Sequence, residues 1–179
     1  MKKAILPSIL LAAISMMSFV NMKFHTDVFK VDTKQSVLQW YAEKLTGKHN
    51  GTIQLAGGEL NNNHGNLTGT INFDMTTISN KDMDEGEWKG KLETHIKSAD
   101  FFDVAKYPTA KFVLVSKNDT TLTGSMTIHG VTKTISFPVT YSDTELAYKS
   151  TFTLNMKEFG IDQKFANETI ELSVTVPLK

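Results

Sequence analysis

The residues in this chain best suited to bind a metal or move a proton are five histidines, His25, His49, His64, His95 and His129. No two stand four residues apart, and no carboxylate accompanies a pair of them at ligand spacing, so no zinc site is spelled out. Nucleophilic chemistry has as little support. The chain has no cysteine, which excludes thiol catalysis, disulfides, a cysteine-ligated zinc and an acylated lipoprotein N-terminus together. Gly-x-Ser-x-Gly and phosphate-binding glycine loops are absent. Ser125, in Gly124-Ser125-Met126, lies within an alternating run rather than at a turn, and reads as an outward strand residue. Asp82, Asp84, Glu85 and Glu87 form an acidic cluster. Successive carboxylates ahead of a helical run serve the helix dipole and solvent rather than acid–base catalysis. By its reactive groups the chain is expected to bind, not to catalyse.

Composition narrows the partner. At 179 residues, with 40% hydrophobic and 21% charged, the chain fits one domain with a real core. Its 19 basic and 19 acidic residues balance, so no nucleic-acid partner is expected. Residues 1–20 read as a secretory signal. Lys2 and Lys3 precede a stretch that is apolar apart from Pro7 and Ser8, and small and apolar residues continue to Val20. Pro7 and the serines interrupt the roughly 20 clean apolar residues that a spanning helix needs. The protein is therefore expected to be exported, periplasmic or secreted.

From Phe29 onward the dominant signal is apolar–polar alternation in runs bounded by Gly, Asn and Asp, the period of half-buried strands. Runs at 37–42 and 51–56 face each other across a turn-like 47–50. In the next, Leu67, Gly69, Ile71, Phe73 and Met75 share a face. Further runs occupy 110–115, 122–128, 135–141, 148–156 and 170–176, and Pro138 marks an edge or bulge because it lacks an N–H. The pattern breaks once, over 82–108. There Trp88, Leu92, His95 and Ile96 recur at helical spacing, with Asp82 or Asp84 available as a cap. Ser98-Ala99-Asp100 looks like a second helix start, and Tyr107-Pro108 closes the excursion. Strands apolar on one face must pair as a sandwich or curl as a barrel, and periodicity alone does not choose.

Within and after this insertion the residues become recognisable. Lys91-Leu92-Glu93-Thr94-His95-Ile96-Lys97-Ser98-Ala99-Asp100-Phe101-Phe102-Asp103, followed by Tyr107-Pro108-Thr109-Ala110-Lys111-Phe112, resembles the His-Leu-Lys-Ser-x-Asp-Phe-Phe-Asp, Tyr-Pro, Phe signature of the YceI-like family. The run from Leu122 to Thr132 is similar to that family's Gly-x-Leu-Thr-Ile-x-Gly-Val-Thr hairpin, and Glu158-Phe159-Gly160-Ile161 to its Asp-Phe-Gly-Ile corner. The resemblance runs from about Phe29 to Leu178. It implies an all-β domain over residues 29–179, an extended lipocalin-like antiparallel β-barrel of about eight strands with one helical insertion after the third strand. It also implies export and a non-covalently held amphiphile: a polyisoprenoid, isoprenoid quinone or fatty-acid-like molecule. Three positions depart from the pattern: Ile96 replaces Leu, Met156 replaces an Arg common before the Phe-Gly corner, and Met126 stands in the Leu-Thr-Ile strand.

On this basis Trp40, Phe73, Ile96, Phe101, Phe102, Phe112, Met126 and Phe152 are expected to form the wall and mouth of the ligand site, with His95 and Lys97 beside the head group. His95 has a plainer alternative role, as a buried histidine pinning the helix to the barrel. Met and Phe suit a flexible chain of variable shape. Transient contact with a membrane and pairing with a second copy through a flat edge strand are the other expected associations. The contrasting expectation is a side-chain-filled barrel serving as an exported structural or interaction module.

Overall fold

The computed structural model describes residues 26–44, 47–162 and 169–179; the expected signal segment lies outside them. Ten strands are found among the described residues, all in one antiparallel sheet. They are β1 (Thr26–Lys30), β2 (Val37–Lys44), β3 (Gly47–Asn63), β4 (Asn66–Asn80), β5 (Thr109–Asn118), β6 (Thr121–Ile128), β7 (Val131–Pro138), β8 (Thr140–Ser142), β9 (Ala147–Asn155) and β10 (Thr169–Pro177). One helix, α1 (Glu87–Lys97), follows β4, and a short 3₁₀ turn spans Met156–Phe159. Neighbours run β7-β6-β5-β4-β3-β2-β10-β9-β8, with β1 laid against the far half of β3. The two ends of that path, β7 and β8, are consecutive in the chain and separated by Val139 alone. Chain continuity therefore curls the sheet on itself, and one sheet rather than two packed layers is what the alternation builds.

The alternation dictates which face is inside. In β6 Leu122, Gly124, Met126 and Ile128 are buried while Thr123, Ser125 and Thr127 face outward. Outside, the hydroxyls of Thr123 and Ser136, and of Thr127 and Thr132, pair across β6 and β7 at 2.8 Å. Register shifts in β3 between Thr52 and Gln54, and between Leu55 and Gly57, add the local twist that a long strand needs to follow a curled sheet.

Several local expectations are corrected. Residues 47–50 are not a turn but the start of β3, paired with β2. The helix follows the fourth strand because β1, too short to show a clear period, precedes the first run read from the alternation. Residues 135–141 divide at Pro138 and Val139 into β7 and β8. Gly86 stands at the N-cap of α1 and no side chain caps it, so neither Asp82 nor Asp84 does. Ser98 ends α1 rather than starting a second helix: its amide and its hydroxyl both donate to the His95 carbonyl, at 3.1 and 2.8 Å. The chain then turns, with the Phe102 and Val104 amides returning to the carbonyls of Ile96 and Lys97. Met75 donates to the Pro108 carbonyl at 2.9 Å, where β5 takes over.

Candidate functional site

The inward faces of the strands leave two apolar clefts inside the curled sheet. One is a cleft of about 40 Å³ among Leu60, Leu67, Phe112, Leu114, Leu122, Phe137, Phe152 and Val176. The other, also about 40 Å³, lies among Ile53, Met75, Phe102, Ile128, Met156, Ile170 and Leu172. Leu38, Phe73 and Met126 border both. The clefts thus meet at these three side chains and together run from the β3–β4 and β5–β6 hairpin ends toward the segment after α1. The second has no polar residue in its lining, and the first has three at its border, Tyr148, Lys149 and Ser150. Burial pushes the Tyr148 phenol up, with Tyr141 adding to the shift.

Rings organise the first cleft. Phe112 tilts against Phe137 at 5.1 Å, and Phe137 stacks on Phe152 at 4.2 Å with 12° between the planes. Gly124 makes this possible: a Cβ there would lie 2.6 Å from Phe112 Cζ.

Of the residues expected at the ligand site, Phe73, Phe102, Phe112, Met126 and Phe152 line these clefts. Trp40 and Ile96 are buried in the core but border neither cleft, and Phe101 is half-buried against Phe102. His95 is exposed on α1, its ring edge-on to Phe101 at 5.9 Å. The buried-histidine expectation is therefore corrected: Ile96, one position further, takes the inward face. Lys97 is half-buried at the end of α1, away from both clefts. Phe137, Leu38 and Met156 line the interior yet were not among the expected contacts. The indole Nε1 of Trp40 and the Ser36 hydroxyl are buried without a hydrogen-bond partner among the described residues.

Besides lining the clefts, the recognisable motifs meet at a junction. Tyr107 meets the His129 ring at 4.9 Å and covers Gly130, whose left-handed φ of 74° closes the β6–β7 turn. The His129 ring and Val131 in turn approach Gly160. Tyr-Pro, His-Gly-Val and Phe-Gly-Ile therefore lock three chain segments together at one end.

A polar cluster at the end of β4 was invisible in sequence. Asn80 is fully buried; its side chain donates to the Asn50 carbonyl and to Asp82, and accepts from the Met83 amide. Its own amide donates to Glu93 of α1 at 2.8 Å. Asp82 accepts from the Asn50 amide at 2.7 Å and meets His49 Nδ1 at 2.9 Å. Burial pushes the Asp82 carboxyl up, but the Asn50 amide, His49 and Asn80 together hold it below its ordinary value near 3.8. A depressed folded-state value means the stabilisation is whole above the ordinary value and is lost as pH falls through the folded one. Asp82→Asn is expected to flatten the acid limb of the stability-versus-pH curve, measured by urea unfolding between neutral pH and pH about 3. An unchanged acid limb would remove Asp82 from the cluster's energetics.

Comparison with known proteins places this geometry. The sequence profile of the YceI-like domain matches residues 29–179. A UPF0312 protein of Pseudomonas putida strain F1 is 39% identical over 105 residues, 50% of this chain and 55% of that one. A UPF0312 protein of Pseudomonas syringae pv. tomato DC3000 is 37% identical over 97 residues, 46% and 50% of the two chains. The match thus spans about half the length of these relatives. Among solved structures, Burkholderia cenocepacia BcnA superposes with a TM-score of 0.67 at 16% identity, over 83% of this chain and 99% of that one. At that identity the likeness is one of fold.

Proposed function

Because the chain belongs to the YceI-like family, we propose that it is an exported carrier holding the apolar chain of an amphiphile inside the barrel: a polyisoprenoid, an isoprenoid quinone or a fatty-acid-like molecule. The observation that carries this reading is the pair of apolar clefts meeting at Leu38, Phe73 and Met126. A tail entering along them, with the lining side chains moving aside, touches hydrocarbon almost throughout. Each CH₂ taken out of water contributes roughly 0.8 kcal/mol, so a long tail binds without a dedicated polar clamp. Met126 and Met156 can yield to chains of different shape. Binding rather than catalysis is the activity, since the serine in the most motif-like setting, Ser125, faces outward on β6. Export rests on the basic and apolar residues 1–20 and on the family resemblance.

Protein expressed with residues 1–20 in a Gram-negative host and purified without detergent is expected to carry extra mass in native mass spectrometry. Extraction into organic solvent should remove that mass and release an apolar amphiphile. Protein that comes out ligand-free, and that takes up no isoprenoid quinone when offered one, would sink the reading and leave the side-chain-filled interaction module in its place.

A further inference from the structure

Among the described residues, each neighbouring pair along the path from β7 to β8 is laddered, and the path does not close on itself. β7 pairs with β6 along its whole length and β8 pairs with β9, but no ladder joins β7 to β9 among the described residues. Continuing the β8–β9 register, in which Thr140 faces Lys149, back along the chain sets Val139 opposite Ser150 and Phe137 opposite Phe152. Two contacts stand where that ladder would run. The Ser150 hydroxyl donates to the Pro138 carbonyl at 2.5 Å, and the rings of Phe137 and Phe152 stack. Pro138 has no N–H to offer across the gap. Opening any other strand pair would unpair a row of backbone groups, each of which then needs a new partner. Opening this seam between Pro138 and the His129–Gly160 junction, which stays closed, separates one ring pair and one side-chain hydrogen bond.

The seam also opens onto the first cleft. Phe137, Val139, Ser150 and Phe152 all line the first cleft, which borders Tyr148 and Lys149 on the same side. The second cleft, toward α1, has no polar residue at its border.

We propose that an apolar chain enters and leaves the interior sideways, between β7 and β9, with the stacked rings of Phe137 and Phe152 as the door. This rests on the ligand-binding reading above and adds the route to it.

Ser136 and Thr153 stand opposite each other in the continued register, both exposed, in a chain without cysteine. The Ser136→Cys, Thr153→Cys protein is joined with a reducible bismaleimide, and uptake of parinaric acid is followed by stopped-flow fluorescence. Joining the strands is expected to slow uptake and release at least about tenfold, as for other gated sites, and reduction of the linker should restore both. Phe152→Ala, made separately, is expected to speed exchange by about tenfold. Joined protein that exchanges as fast as the unjoined, or Phe152→Ala protein with wild-type rates, overturns the sideways route. Wild-type protein that binds no parinaric acid at equilibrium overturns the ligand-binding reading itself, and the route with it.

Discussion

Phe112→Ala is expected to lower the stability of this protein by about 4 kcal/mol, in the range for deleting a buried aromatic ring. Phe112 is 2% exposed, tilts against Phe137 and covers Gly124. No backbone polar group depends on it, so the loss is one of burial and of the cavity left behind. The same deletion enlarges the first cleft, which Phe112 lines. Binding of an apolar probe is therefore expected to survive, and a saturating probe should return part of the lost stability through mass action. Urea unfolding of wild type and variant, with and without parinaric acid, reads both quantities. A loss below about 1 kcal/mol would mean that the site collapses around the deletion and that the rings are not close-packed. Lost binding at undiminished stability would instead make Phe112 a direct ligand contact with no packing role.

Gly51→Ala is expected to cost about 3 kcal/mol or more, by overpacking rather than by loss. A Cβ at Gly51 would lie 1.8 Å from the Ser79 carbonyl oxygen and 2.5 Å from Trp40 Cζ2. Neither obstacle can withdraw easily. Ser79 belongs to β4, paired to β3 at Thr52, and Trp40 is only 6% exposed with Gly51 and Leu172 as its cross-strand partners. The displaced strand end carries Asn80, so the damage should spread to the cluster that ties β4 to β3 and α1. Thermal unfolding monitored at Trp40 and by far-ultraviolet circular dichroism checks this, and a variant as stable as wild type would refute the close approach of indole and backbone at Gly51. Glycine is required here by space, since its φ is not in the left-handed region.

Much of the architecture was legible in the chain because a strand writes its orientation into its own sequence. Leu122, Gly124, Met126 and Ile128 alternate with Thr123, Ser125 and Thr127, and the buried set is the apolar one. The helix was legible for the same reason at a different period, and Ile96 proved to be its buried residue. Its start was misassigned because Asp82, a residue that suits a cap, is instead engaged by Asn50, thirty-two positions earlier in the chain. A local pattern carries no information about such a partner.

The sequence by itself determined the class of the interior, an apolar face without a catalytic constellation, and through its motifs the family. Only the tertiary structure decided which apolar residues border space and which are merely packed. Trp40 and Phe73 are indistinguishable by period and burial, yet Phe73 borders both clefts and Trp40 neither. It alone also set Phe137 against Phe152, because they sit on strands that no ladder joins. Alternation encodes which face a side chain takes, whereas its neighbour across an unpaired seam depends on how the whole sheet curls and closes.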